Sequence, residues 1–268
     1  MKHLGSYASS MRASVTAVFA VLAGLALVLA ACSSDDAASG ATQPPVSSTD
    51  GTTVTYGQAY QGGVFHLGPV DWDESQFHNA CAPAEKYPAS VRSAEGQLLA
   101  GLPSSLPNVA QYCDACIHVT TARGRSATLR VVTYGETTTN SIDVSQEAFD
   151  LLNAGESPRT MIWQLAKCPD SGKIAYQFQT GSSETWTSLW VRQARLPIKS
   201  VEVKSKNHPD YVPLVRGDDG TLTDAAGFGN GAFSIRVTAI DDQAIVDTFE
   251  FPSSGIAGAM LEGRANLQ

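Results

Sequence analysis

Three groups of residues in this chain could act on a ligand or lock the fold: a carboxylate just ahead of a helix start, two tryptophans four apart, and a set of cysteines. Asp143 stands in Ser141-Ile142-Asp143-Val144-Ser145. A carboxylate at an open groove accepts hydrogen bonds from ligand hydroxyls, or acts as a general acid when its pKa is raised. Aspartate is also favoured beside a helix N-terminus, and position alone leaves both roles open. Trp186 and Trp190 lie in a β-patterned run, so alternation puts them on one face with Ser188 and Arg192. Thr187, Leu189 and Val191 then point to the core. Two indoles on a flat, solvated sheet suit stacking on alternate sugar rings; the analogous base–aromatic contact is worth roughly 1–3 kcal/mol per ring. A core position for Trp190 is the competing reading. Cys81, Cys113, Cys116 and Cys168 are even in number, as in an oxidising compartment. Cys113-x-x-Cys116 has no second pair or His-x-x-x-His to complete a zinc site. It also runs into Ile117-His118-Val119, a strand rather than a redox helix, so disulfides are expected. His66, His78, His118 and His208 are scattered. Neither a metal nor a cofactor is expected.

The elements that position these residues follow a targeting segment. Lys2 and Arg12 precede an uncharged apolar run ending in Leu29-Ala30-Ala31-Cys32, the pattern of a secretion signal rather than a membrane span. Leu-Ala-Ala-Cys resembles the lipobox of bacterial lipoproteins, which implies a mature chain beginning at a diacylated Cys32. Two acyl chains anchor a protein stably. The expected location is outside a bacterial membrane, held through Cys32 alone. Residues 33–50 are rich in Ser, Ala, Asp, Thr and Pro and read as a tether of roughly 60 Å full extension. Without Lys2 and Arg12 the 18 basic residues become 16, against 26 acidic ones. That balance disfavours nucleic acid and anionic polymers as partners. It equally serves to keep a secreted monomer soluble.

Helical periodicity is nearly absent. One helix is predicted over 146–153, capped by Ser145 and closed near Gly155; a turn or two is predicted within 84–99, interrupted by Pro88. Short β-patterned runs at 116–120, 127–132, 161–166, 174–178, 186–191, 198–203, 232–240 and 245–251 fill most of the rest. Trp72 and Trp163 read as structural. The predicted organisation is a signal peptide over 1–31, a tether over 32–50, a small barrel over 51–169 and a β-sandwich over 170–268.

Four segments in order resemble the bacterial expansins. They are Tyr60-Gln-Gly-Gly-Val-Phe65, Ser141-Ile-Asp-Val-Ser-Gln-Glu-Ala-Phe149, Gly181-Ser-Ser with Trp186, Val191-Arg192 and Pro197, and Gly229-Asn-Gly231 with Ile235-Arg-Val-Thr238. The resemblance implies an all-β chain: a six-stranded double-psi β-barrel followed by an immunoglobulin-like, carbohydrate-binding β-sandwich. It implies loosening of cell-wall polysaccharide, cellulose-type β-glucan above all, without hydrolysis. Agreement with the plant-type branch around the cysteines implies the pairs Cys81–Cys113 and Cys116–Cys168. Asp143 takes the place of the acidic residue on which loosening depends, Tyr134 that of a groove tyrosine, and Thr55, with Val54 as its rival, that of a groove threonine.

The sequence also departs from that pattern. The family's second aspartate falls in Thr-Asp-x-Tyr, where this chain has Val131-Val132-Thr133-Tyr134. Glycoside hydrolysis ordinarily needs two carboxyl groups, so the loss counts against a glycosidase. Glu136, Asp71 and Asp73 are candidates to replace it in space. On the sandwich, Thr185 and Asp218-Asp219-Gly220 stand where two platform aromatics are expected, with Trp190 as the candidate substitute. Two other readings stay open: a lytic enzyme on the same barrel, either an endoglucanase or a peptidoglycan lytic transglycosylase, and a purely carbohydrate-binding protein. Xylan, pectin and peptidoglycan remain possible targets beside cellulose.

Overall fold

The computed structural model describes residues 53–72, 79–81, 87–135, 137–169 and 172–268, all within one compact unit running from Pro44 to the C-terminus. The signal segment, Cys32 and the tether lie outside the described residues, as do Asp73, His78 and Glu136.

The fold is all-β. Strands β1 (Thr55–Leu67), β2 (Leu99–Pro103), β3 (Cys116–Thr121), β4 (Ser126–Gly135), β5 (Ile142–Val144) and β6 (Thr160–Ala166) close into a barrel in the order β1-β5-β2-β4-β3-β6. The pairs β1/β5 and β2/β4 are parallel and the other four antiparallel. Alternation sends Ile117, Val119, Leu129, Val131, Ile142, Val144 and Trp163 into the barrel. Trp163 stacks on Tyr60 with ring centroids 4.0 Å apart and donates its indole N–H to the Asn140 carbonyl at 3.1 Å. Trp72 is also buried, in a satellite cluster outside the barrel with Tyr87, Val91, Leu99 and Val132.

Strand β1 is absent from the sequence reading because Gly57, Gly62 and Gly63 make it look like a turn. At Gly63 the reason is close approach: a Cβ there would lie 2.0 Å from the Asn140 carbonyl oxygen. The predicted helix is α2 (Gln146–Leu152), with the Ser145 hydroxyl accepting the Ala148 N–H at 3.4 Å. Pro88 does not interrupt a helix; it precedes one, α1 (Ala89–Glu95), because a missing N–H costs nothing at a helix start.

The barrel ends at Ala166, and the next strand is β7 (Ala175–Phe178), followed by β8 (Thr187–Arg192), β9 (Ile198–Lys204), β10 (Val212–Pro213), β11 (Val215–Arg216), β12 (Leu222–Asp224), β13 (Ala232–Ala239), β14 (Ala244–Glu250) and β15 (Met260–Glu262). They form two sheets, β10-β9-β13-β14 and β11-β12-β8-β7-β15. Tyr176, Phe178, Leu189, Val191, Phe228, Phe233, Ile235 and Val237 fill the space between them. Cys81 joins Cys113 and Cys116 joins Cys168, with Cα–Cα distances of 5.4 and 5.3 Å, inside the usual range for a disulfide.

The other face of β8 corrects one expectation. Leu189 and Val191 do point to the sandwich core, but Trp190 and Arg192 on the opposite face are not solvated: both are 0% exposed. They face the barrel, where the Arg192 guanidinium lies 4.1 Å from the Tyr87 ring centre. Alternation fixes which side of a strand a residue takes; it does not say what covers that side.

Candidate functional site

Asp143 is the middle residue of β5, between Ile142 and Val144, which are fully buried. It therefore points out of the barrel, beside His66 of β1 and Gly101 of β2. Two glycines make room for it. A Cβ at Gly68 would lie 2.5 Å from the Asp143 Cβ, and one at Gly101 would lie 2.9 Å from Thr133 Cγ2 and 3.7 Å from the Asp143 Cβ. Burial pushes the Asp143 pKa above the usual carboxylate range, and the charge of nearby His66 opposes that rise. Helix capping is done by Ser145, whose hydroxyl accepts the Ala148 and Leu99 N–H groups and donates to the Gln97 carbonyl. Asp143 takes no part in it, and among the described residues its carboxylate has neither a hydrogen-bond partner nor an ion pair. Beyond Gly68 a cleft of about 900 Å³ opens between residues 67–72, Arg92, Gln146 and Glu147. Asp71 lines this cleft.

Val132 occupies the place where a second aspartate was expected. It is fully buried in the satellite cluster with Trp72 and Tyr87, an apolar site in which an unpaired carboxylate would be costly.

The structure does not gather Tyr134 and Thr55 around Asp143. Thr133 flanks Gly101, but Tyr134, one residue on, packs against the barrel core beside Leu102. Its hydroxyl donates to the Asp218 carbonyl of the sandwich. Burial and the charges of Asp218 and Asp219 raise the pKa of that phenol. Thr55 pairs with Ala166 at the opposite end of β1 from His66 and lines a separate cavity of about 200 Å³ with His118, Thr120 and Ile162. The backbone carbonyl of its rival, Val54, accepts the Lys167 N–H.

On the sandwich, Trp186 is 36% exposed, a high figure for an indole. It closes a tight hairpin in which the Ser183 N–H donates to its carbonyl at 2.7 Å. The Thr187 hydroxyl donates to the Ser183 carbonyl and accepts the Phe228 N–H, pinning the hairpin to the next loop. Gly227, with φ of 68°, allows that loop to lie against the Trp186 N–H: a Cβ there would come within 2.5 Å of it. The ring itself rests against Gly181. Trp190 cannot substitute for a platform aromatic, because it is buried and donates its indole N–H to the Asp219 carbonyl at 3.1 Å. The 217–221 loop also meets the barrel, where a Cβ at Gly220 would lie 2.6 Å from the Cys113 Cβ. Arg192, Asp114, Glu95 and Arg130, which form a charged junction between barrel and sandwich, carry no sequence signal as a group, since they meet only in the folded chain. Among the described residues no three His, Cys, Asp or Glu side chains are grouped to hold a metal ion.

No family model matches the chain. Among curated proteins it is 24% identical over 212 residues to Expansin-YoaJ of Bacillus subtilis (strain 168), covering 78% of this chain and 82% of that protein. It is 30% identical over 112 residues to Expansin-like protein 6 of Dictyostelium discoideum, 40% of this chain and 38% of that one. Among solved structures it superposes on the apo expansin of Clavibacter michiganensis with a TM-score of 0.60 and 19% identity, covering 78% of this chain and 98% of that one. A point mutant of the Clavibacter protein in complex with cellohexaose gives a TM-score of 0.59 over the same spans. Over most of its length the chain is similar in sequence to a bacterial expansin, and its barrel-plus-sandwich fold is that of the solved Clavibacter expansin.

Proposed function

We propose that the chain binds neutral cell-wall polysaccharide, cellulose-type β-glucan above all, and loosens it without cutting it. The observation that carries this reading is the Asp143 carboxylate: half-buried, raised in pKa and without a hydrogen-bond partner among the described residues, it lies against Gly68, which lines the cleft through which sugar hydroxyls would approach. Hydrolysis would need a second carboxyl group at a defined separation. Among the described residues the groups set against Asp143 are His66, Gly68, Gly101 and Thr133, the nearby cleft carries Asp71 and Glu147, and the expected second position holds buried Val132. Trp186 supplies a ring face for stacking on sugar. The cellohexaose complex of the Clavibacter relative supports extending that ligand class to this chain. Tyr134 serves the junction between the domains, its hydroxyl being committed to Asp218. Diacylation at Cys32 would hold the protein outside the membrane while the tether lets it reach the wall.

Incubation with cellulose, xylan, pectin and peptidoglycan, scoring both retention and reducing-end release, tests the reading. Retention on cellulose with no new reducing ends is expected. Release of reducing ends from any of the four polymers would make the chain a lytic enzyme instead.

A further inference from the structure

We propose that Arg192 is a positioning residue for polysaccharide binding, locking barrel and sandwich in one register so that Asp143 and Trp186 meet the same polymer. This rests on the reading above, in which both residues touch the glycan. The Arg192 guanidinium is fully buried at the junction. Its Nη1 meets Asp114 Oδ2 of the barrel at 2.5 Å, and its Nε donates to Gln177 Oε1 of the sandwich at 2.9 Å. Its Cζ lies over the Tyr87 ring, 4.1 Å from the ring centre, and over the Trp190 ring, 4.9 Å from the ring centre. One planar cation therefore engages two groups from each domain.

A second set of contacts closes the ring. The Asp114 carbonyl accepts Arg130 Nη1 at 2.5 Å, and Arg130 pairs with buried Glu95 at 3.5 Å. Glu95 then accepts the Gln193 N–H at 3.0 Å, returning to the residue beside Arg192. Asp114 itself sits at φ of 63° between Cys113 and Cys116, both disulfide-bonded, so it has little freedom to follow a moving partner. Burying such a pair gains little net stability, since desolvation offsets most of the Coulomb attraction. What it does enforce is orientation. Hinge opening would strand a carboxylate or a guanidinium without its partner in the packed junction. Trp186 lies six residues from Arg192 along the same chain run and on the same face by alternation, about 20 Å away. A rotation at the Arg192 end would displace the Trp186 ring relative to Asp143.

The test is the double variant Arg192→Met with Asp114→Asn, which removes both charges together and keeps a residue tolerant of positive φ at position 114. It is compared with the parent and with Arg192→Lys. Expected for the double variant are a cooperative melt, a larger maximum dimension by small-angle scattering, and a roughly tenfold or greater loss of affinity for insoluble cellulose, as avidity from two fixed contacts is lost. Affinity for a cello-oligosaccharide too short to bridge both domains should not change. Arg192→Lys, which keeps the charge but not the planar fork, should fall between them and serves as the folded comparison if the double variant does not fold. Scattering and cellulose affinity identical to the parent in the folded variants would overturn the proposal. Failure of the parent itself to bind cellulose would sink the functional reading instead; the scattering comparison would still decide whether Arg192 holds the domains, an unchanged profile showing that it does not.

Discussion

Gly68 lies against Asp143 so closely that a Cβ on the glycine would come within 2.5 Å of the aspartate's Cβ and 2.9 Å of its Cγ. The clash is with the short, strand-bound base of the side chain, which has no flexible end to swing aside. Gly68→Ala should therefore displace the Asp143 carboxylate, cost about 1–3 kcal/mol in overpacking, and reduce wall loosening. Retention on cellulose through Trp186 should persist. Wall extension and pull-down measured on the same preparation separate the two effects.

The two tryptophans of the 186–191 run should part company on mutation. Trp186→Ala should weaken cellulose binding by about 1–3 kcal/mol, the scale of an aromatic stacking contact, with the melting temperature almost unchanged. Trp190→Ala should destabilise the protein by about 3–5 kcal/mol, as expected for a buried aromatic. Calorimetry and binding isotherms on both variants check this; the same thermal cost for each would show that Trp186 is also a packing residue.

Asp143 also predicts a pH effect on stability. Its folded pKa is raised by burial, so the folded state binds its proton more tightly than the unfolded chain does. The stabilisation from that proton is complete below the unfolded carboxylate value, about 3.9, and disappears as pH rises through the raised folded value. Asp143→Asn should therefore melt higher than the parent at pH 7, with the gap shrinking as the solution is made acid. A gap that widens on acidification would mean that the carboxylate is held by a favourable charge partner.

Replacing Cys116 and Cys168 together by serine should cost about 2–4 kcal/mol, because their bridge ties the start of β3 to the chain leaving the barrel. Peptide mapping without reduction should recover Cys81–Cys113 and Cys116–Cys168 peptides. Mapping that found Cys113 bonded to Cys116 would contradict the fold at its junction.

Cys32→Ser should move the protein from the detergent phase to the aqueous phase in a phase-partition experiment on bacterial cells. Partition of the parent into the aqueous phase would remove the lipid anchor from the account.

What the sequence made legible was local. Period-two runs located β3, β6, β9, β13 and β14 to within a residue or two, and Ser145 marked the start of α2, because each of those signals is carried by neighbours in the chain. Strand β1 was hidden by its glycines, and the purpose of one of them, the close approach of Gly63 to Asn140, belongs to a partner almost eighty residues away. Strand β2 is five fully buried residues, too short and too uniform to show a period. The candidate site was legible in part. Asp143 and Trp186 stand out in the sequence and their ligand roles are proposed here; Trp190, expected on a solvated face, is buried at the junction, and the Tyr134 hydroxyl donates to the Asp218 carbonyl. Composition and spacing say that a side chain is large and on a given face; only the packed structure says that Asp218, Asp219 and the barrel cover that face.

The central claim is that loosening depends on the Asp143 charge in the barrel and not on anchoring by the sandwich. Asp143→Asn compared with the parent in a wall-extension assay under constant load tests it most directly, with cellulose retention and a thermal melt measured on the same samples. The account predicts that the variant folds, binds cellulose as the parent does, and no longer extends the wall. A variant that extends the wall as well as the parent would contradict it.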